Sequence, residues 1–315
     1  AFQGVYWHHD LPLTGLPWSL FRYDKLEYYG AMSFLKAGIV YSDFITTVSP
    51  TYAREIQTPD YGRGMQGTLF PRRDRIFGIV NGVDYDHWDP RVDTRIAANY
   101  GPDDLSGQAA CQQALRREMG LHEGDAMLFG VVARLTEQKG IDLIVGIAAG
   151  MLERGMQLAI LGDGDPQYHR ALEQLHQRFP DRLGLRLGFD EGLAHRIEAG
   201  ADAFLMPSAF EPSGLNQLYS LRYGTPPIVR RTGGLADTVT DTNEQTLNDG
   251  TATGFSFTRY AVEELAATVE RAERVWRHTP EVWRRVMLNG MRQDWGWDRS
   301  AGDYEKLYRR MAKGT

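Results

Sequence analysis

The chain has 315 residues, 42% of them hydrophobic, which is material for about two domains. Its net charge of −6 and lack of a long basic run argue against a nucleic-acid partner, and no apolar run approaches the roughly 20 residues that a membrane span needs. The single cysteine, Cys111, excludes an intramolecular disulfide and fits a reducing, cytoplasmic setting.

The start has no charged segment followed by an apolar core, as a secretory leader would have. Ala1-Phe-Gln-Gly4 runs directly into a dense aromatic segment without a polar lead-in, so the chain reads as beginning inside a longer protein. Aromatics crowd residues 1–34 and are expected mostly in packing. His8 and His9 read as surface or packing histidines. The spacing predicts a helix over Ser33–Val40 and a β-branched strand over Asp43–Val48. Ser49-Pro50 then supplies a cap and first turn for a helix through Glu55. A strand over Ile76–Val80 ends in the turn Asn81-Gly-Val-Asp84. Residues 93–124 are polar and broken by Gly and Pro, with one helix over Cys111–Met119, and read as an interdomain connection.

From Met127 onward strand and helix patterns alternate. Strands are expected at Met127–Leu135, Gln157–Leu161, Leu185–Phe189, Ala201–Met206 and Pro227–Arg230, with helices at Ile141–Arg154, Gln167–Phe179 and Leu193–Gly200 between them. The apolar segment Gly254–Phe257 precedes helical patterns at Val262–Trp276, Glu281–Gly290 and Ser300–Ala312, where Trp276, Trp283, Trp295 and Trp297 read as packing anchors. Such alternation implies a doubly wound, mostly parallel α/β sheet, whose ligands bind beyond the carboxyl ends of the strands.

Polar residues gather at those ends. Arg134-Leu-Thr-Glu-Gln-Lys-Gly140 places two cations where a strand hands over to a helix, a suitable clamp for a diphosphate, although any one such pair could be a solvated surface pair. Glu211 stands at the next junction, within Pro207–Gln217. Pro212 is expected at the first position of a helix over Gly214–Arg222, and Glu211 could either cap that helix or meet a polyhydroxyl ligand. At Arg230–Asp237, Thr232, Gly233 and Gly234 are small enough to let a phosphate approach the backbone. Gly162-Asp-Gly-Asp165 is a further glycine-rich turn, given a mainly structural role. Cations, N–H donors and a carboxylate on adjacent strand ends describe a pocket for a nucleotide diphosphate joined to something bearing hydroxyls.

The blocks Arg134…Lys139-Gly140, Glu211-Pro-Ser-Gly-Leu-Asn-Gln217 and Arg231-Thr-Gly-Gly-Leu-Ala-Asp237 resemble the signature of the ADP-glucose-dependent glycogen synthases of bacteria, related to plant starch synthases. Ala1-Phe-Gln-Gly4, Leu16-Pro-Trp18, Ser33–Gly38, Ser49–Ile56 and Asn81–Asp84 are similar to that family in order and spacing, so the likeness spans the chain. It implies a GT-B fold of two Rossmann-like domains facing a cleft. The remainder of the first would occupy residues 1–92, the donor-binding domain 125–285, and helices crossing back 286–315.

By that resemblance Arg134 and Lys139 bind the diphosphate and neutralise the leaving group. Glu211 holds the glucose hydroxyls, and Ser213, Gly214 and Leu215 line that site. Thr232, Gly233 and Gly234 donate from the backbone to phosphates or sugar, Gly188, Phe189 and His195 flank the adenine, and Asn81 reaches in from the first domain. The family reaction moves glucose from ADP-glucose to the non-reducing end of an α-1,4-glucan with retention, needing no metal and no cofactor. The family's lysine- and glycine-rich first loop and the active-site histidine ahead of Ala-Phe-Gln-Gly are not in these 315 residues. The chain by itself is therefore expected to transfer little glucose, and the 1–95 region to be poorly soluble or locally disordered. Tyr219 stands where related glycosyltransferases often carry an acidic ribose ligand. Two other readings are a UDP-sugar-using GT-B enzyme and a non-catalytic nucleotide- or glucan-binding module.

Overall fold

The structure is a computed structural model, and it describes residues 4–313. Ala1, Phe2 and Gln3 of the first motif lie outside the described residues. The chain opens with a small antiparallel sheet of β1 (Val5–Tyr6), β2 (Glu27–Tyr28) and β3 (Ala31–Ser33), in the order β1-β3-β2. Helix α1 (Phe34–Tyr41) follows, its first turn capped by the Ser33 hydroxyl. Strand β4 (Ile45–Thr47) leads into α2 (Pro50–Glu55), and α3 (Gln66–Leu69) into β5 (Ile76–Gly78). Strands β4 and β5 form a two-stranded parallel sheet. The aromatics near the start are less packed than their type suggests: Trp7, Trp18, Tyr23 and Tyr29 are all more than half exposed.

The second unit begins earlier than its strands suggest. Helix α4 (Ser106–Glu118), expected within a connection, packs against α7 (Glu191–Gly200), with Leu115 wholly buried in the core they share. Gly200 makes that closeness possible, since a Cβ there would press on Leu115 and the Cys111 carbonyl.

Six parallel strands follow: β6 (Leu128–Val132), β7 (Gln157–Gly162), β8 (Leu183–Leu187), β9 (Ala203–Met206), β10 (Pro227–Arg230) and β11 (Phe255–Phe257). Their order is β11-β10-β9-β6-β7-β8. Counted from β6, this is the doubly wound order whose direction reverses between its first and fourth strands, here β6 and β9. Alternation within β6 sends Phe129 and Val131 to one face and Leu128 to the other, so both faces must be covered. Helices α5 (Ile141–Glu153), α6 (Pro166–Arg178), α11 (Val262–His278) and α12 (Pro280–Met291) cover the first, and α4, α7 and α9 (Gly233–Thr238) the second. The short α8 (Asn216–Tyr223) and α10 (Glu244–Asn248) complete the unit.

The last helix, α13 (Trp297–Ala312), runs back onto the first unit. The Ser300 hydroxyl donates to the Val80 carbonyl at 2.7 Å, the Val83 N–H donates to the Trp295 carbonyl at 2.7 Å, and Arg310 lies over Phe77. Of the four tryptophans, Trp295 belongs to this junction, whereas Trp283 stacks on Phe255 in the second core. Between the units, residues 84–100 form a strap across α7 and α8. Trp88 stacks on Tyr219 with ring centroids 3.8 Å apart, the Tyr100 hydroxyl donates to the Tyr223 carbonyl at 2.8 Å, and Arg222 pairs with Asp89 at 2.5 Å.

Candidate functional site

The reversal between β6 and β9 splays apart the loops that follow them, and a cavity of about 380 Å³ opens there. Arg134 and Lys139 enter it from the β6–α5 turn, Gly188 and Phe189 from the end of β8, and Gly214, Leu215 and Asn216 from the start of α8. Gly140 lets this wall close. Its φ is +73°, and a Cβ there would overlap the Pro207 carbonyl, so only glycine joins the cation-bearing turn to the Glu211 loop.

The ionic centre lies between these two loops. Lys139 Nζ donates to Glu211 Oε2 at 2.5 Å, and the Ser208 hydroxyl donates to the same oxygen at 3.1 Å. The Glu211 side chain is 7% exposed and that of Lys139 20%, so each charge depends on the other for its desolvated position. Arg134 is exposed, its one side-chain hydrogen bond among the described residues a long 3.4 Å contact to Gln138 Oε1, which leaves it ready to turn toward an anion. Phe189 is 93% exposed, presenting an unpacked aromatic face beside the cavity.

The Glu211 junction differs from its expected form. Helix α8 starts at Asn216, after a bend in which Gly214 has φ +69°, so Pro212 is not its first residue and the Glu211 side chain does not cap it. The left-handed glycine spends the extra residues turning the chain and delivers the carboxylate to Lys139 instead.

Several expected positions are arranged otherwise. Thr232, Gly233 and Gly234 do not line the cavity. The Gly233 N–H and the Thr232 hydroxyl donate to Glu55 Oε1 at 3.0 and 2.9 Å, and the Gly234 N–H donates to the Glu211 carbonyl at 3.0 Å. These donors are taken by a carboxylate from α2 and by the neighbouring loop. In return Asp237, on α9, accepts from the Thr51 N–H at 3.0 Å and from the Ser49 and Thr51 hydroxyls. The two helices thus each supply a carboxylate to the other's first turn.

His195, expected beside the adenine, does not line the cavity. It is fully buried under α7, with Trp88 stacked on it at 3.6 Å and Asp93 at 2.8 Å, because its position on the helix points to the strap. Ser213 is buried, its hydroxyl without a partner among the described residues, and Asn81 is half-buried; neither lines the cavity. The sequence reading gave no site role to Asn216, whose amide donates to the Val132 carbonyl at 2.6 Å, or to Ser208. Both lie within or beside the Glu211 motif, which was the available signal. Gly162 and Asp163, assigned to structure, also line the wall.

A family model described as "Glycosyl transferases group 1" matches residues 112–284, more than half of the chain. The chain belongs to that family. A second model, "Starch synthase catalytic domain", matches residues 1–70 of this group 1 glycosyl transferase. It is 50% identical over 313 residues to a glycogen synthase of Anaeromyxobacter sp., covering 99% of this chain and 65% of that protein. It is 47% identical to a glycogen synthase of Marinobacter nauticus, covering 100% of this chain and 64% of that one. The catalytic domain of Starch Synthase IV from Arabidopsis thaliana, solved bound to ADP and acarbose, superposes with a TM-score of 0.91 at 36% identity, over 98% of this chain and 64% of that one. A sucrose-phosphate synthase from Thermosynechococcus elongatus shares the fold alone, with a TM-score of 0.60 at 22% identity over 89% of this chain and 61% of that one. The group 1 transferase chain spans about 65% of the length of the curated relatives it matches. Its architecture is of the GT-B type, with the first unit partly represented. Among its described residues no helix is long and apolar enough to cross a membrane.

Proposed function

We propose that this chain carries the donor half of a retaining glucosyltransferase that moves glucose from ADP-glucose to the non-reducing end of an α-1,4-glucan in glycogen synthesis. The observation that carries the reading is the Lys139–Glu211 pair beside Arg134 at the strand-order reversal. A diphosphate entering there meets two cations, and Lys139 exchanges part of its bond to Glu211 for a phosphate oxygen. Glu211, already buried and oriented by Ser208, is then free to accept from sugar hydroxyls. The cations take up charge developing on the leaving diphosphate. Adenine has the exposed Phe189 ring as a stacking surface. The solved starch synthase domain, bound to ADP and acarbose, supports this reading.

Calorimetric titration with ADP and then UDP, in EDTA, tests it. Binding of ADP in preference to UDP, weakened by Arg134→Ala and by Lys139→Ala, is expected. Equal binding of both nucleotides would favour a UDP-sugar enzyme, and binding indifferent to both substitutions would place the nucleotide elsewhere. Incorporation of labelled glucose from ADP-glucose into glycogen then checks the transfer.

A further inference from the structure

Glu191 and His195 are four residues apart on α7 and therefore share one face of its first turns. The strap brings His87 to that face, with its Nε2 2.9 Å from Glu191 Oε1. One ligand atom from each of the three residues lies within 4.8 Å of the others.

His195 is held as a metal-bound histidine would be. Its Nδ1 lies 2.8 Å from Asp93 Oδ2, a carboxylate oxygen that also accepts from the Tyr223 hydroxyl at 2.6 Å. Trp88 stacks on the ring and fixes its plane. A carboxylate on Nδ1 sets the tautomer so that Nε2 presents a lone pair. That nitrogen is buried and has no hydrogen-bond partner among the described residues. A buried acceptor without a partner is costly, and an ion would satisfy it.

We propose that His87, Glu191 and His195 bind a divalent transition-metal ion of the zinc kind, which ties the interdomain strap to α7. Two imidazoles and one carboxylate are a donor set suited to zinc rather than to magnesium or calcium, which prefer all-oxygen shells. The half-exposed side of His87 and Glu191 leaves a fourth position for water. Arg95 Nη2, 3.3 Å from His87 Nε2, must swing away when the ion enters. None of the three ligands lines the nucleotide cavity, although Asp190 and Ala194 beside them do. The ion therefore stiffens the element flanking the cavity without competing for it.

The test is titration of chelator-stripped protein with zinc sulfate, free of nucleotide, followed by thermal melting in zinc and in EDTA. One zinc per chain is expected, with a higher melting temperature in zinc. His87→Ala and Glu191→Gln should each weaken binding about 10-fold or more and abolish the zinc-dependent rise. Arg95→Ala should keep or tighten it. Cobalt in place of zinc should give the intense visible bands of a four-coordinate site. Both ligand substitutions are at half-exposed side chains, and unchanged melting in EDTA verifies their folding. Absence of saturable one-to-one binding, or binding that survives both substitutions unchanged, would overturn the proposal.

Discussion

Replacing Lys139 with methionine separates the two roles of the ion pair. At 2.5 Å and an effective dielectric of about 20 the gross attraction to Glu211 is about 7 kcal/mol, much of it offset by desolvation of both charges. Removing the cation leaves a carboxylate that is 7% exposed with, among the described residues, only the Ser208 hydroxyl donating to it from a side chain, and breaking a buried pair in this way costs about 3–5 kcal/mol. Lys139→Met should therefore lose about 3 kcal/mol in urea denaturation, toward the low end because Lys139 retains some solvent. Adding Glu211→Gln should restore most of that loss, because an amide needs no counter-charge. Nucleotide binding should not recover: losing one charge-assisted bond to a phosphate costs about 2 kcal/mol, roughly 30-fold in Kd, in the single and the double variant alike. Urea melts and ADP calorimetry on the wild type, both singles and the double close the cycle. A double variant no more stable than Lys139→Met would refute the coupling, and undiminished ADP binding would refute the phosphate role.

Arg134→Ala should weaken ADP about 10-fold or more while moving the urea midpoint little, since its side chain is exposed and makes a long hydrogen bond of 3.4 Å; calorimetry beside urea melts checks both halves. Asp237→Asn should cost about 1–3 kcal/mol and speed amide exchange in α2, because one carboxylate holds Ser49 and Thr51 across the units; unchanged exchange at residues 51–55 would count against that contact as a tether. Burial raises the pKa of Glu198 well above its ordinary value of 4.5, and its Oε2 has no partner among the described residues. The native state then holds a proton the unfolded chain releases, so this group's contribution to stability is present below about pH 4.5 and is lost as pH rises toward the native value. Glu198→Gln should thus gain on the wild type as pH increases, and a stability difference flat from pH 4 to 8 would contradict the reading.

Much of the fold was legible because parallel strands buried on both faces are continuous apolar runs with helices between them. Pro227–Arg230 matches its strand at full extent and β6 to β9 match to within a few residues, whereas β11 is visible in the sequence only as an apolar segment. Helix α4 is read from sequence only over Cys111–Met119 and within a connection, because Cys111 and Leu115 are the large apolar residues among its buried positions Gly107, Cys111, Leu115 and Arg116, and its exposed face is polar, so its composition resembles a linker until α7 is placed against it. The cation-bearing turn and the Glu211 loop could be read from sequence because each is local, a strand end followed by glycine.

What sequence could not provide was the partner of each group across the fold. Lys139 and Glu211 are 72 residues apart, and only the reversal of strand order between β6 and β9 brings them together. The backbone donors at Gly233 looked free because Glu55, 178 residues earlier, is invisible from that motif. His195 looked like a pocket residue until the direction of α7 turned it toward the strap, where Asp93, Trp88 and His87 gather. Local pattern fixes which residues stand at strand ends, since it depends on backbone periodicity. Which charges meet depends on strand order and domain docking, where contacts distant in sequence decide the outcome.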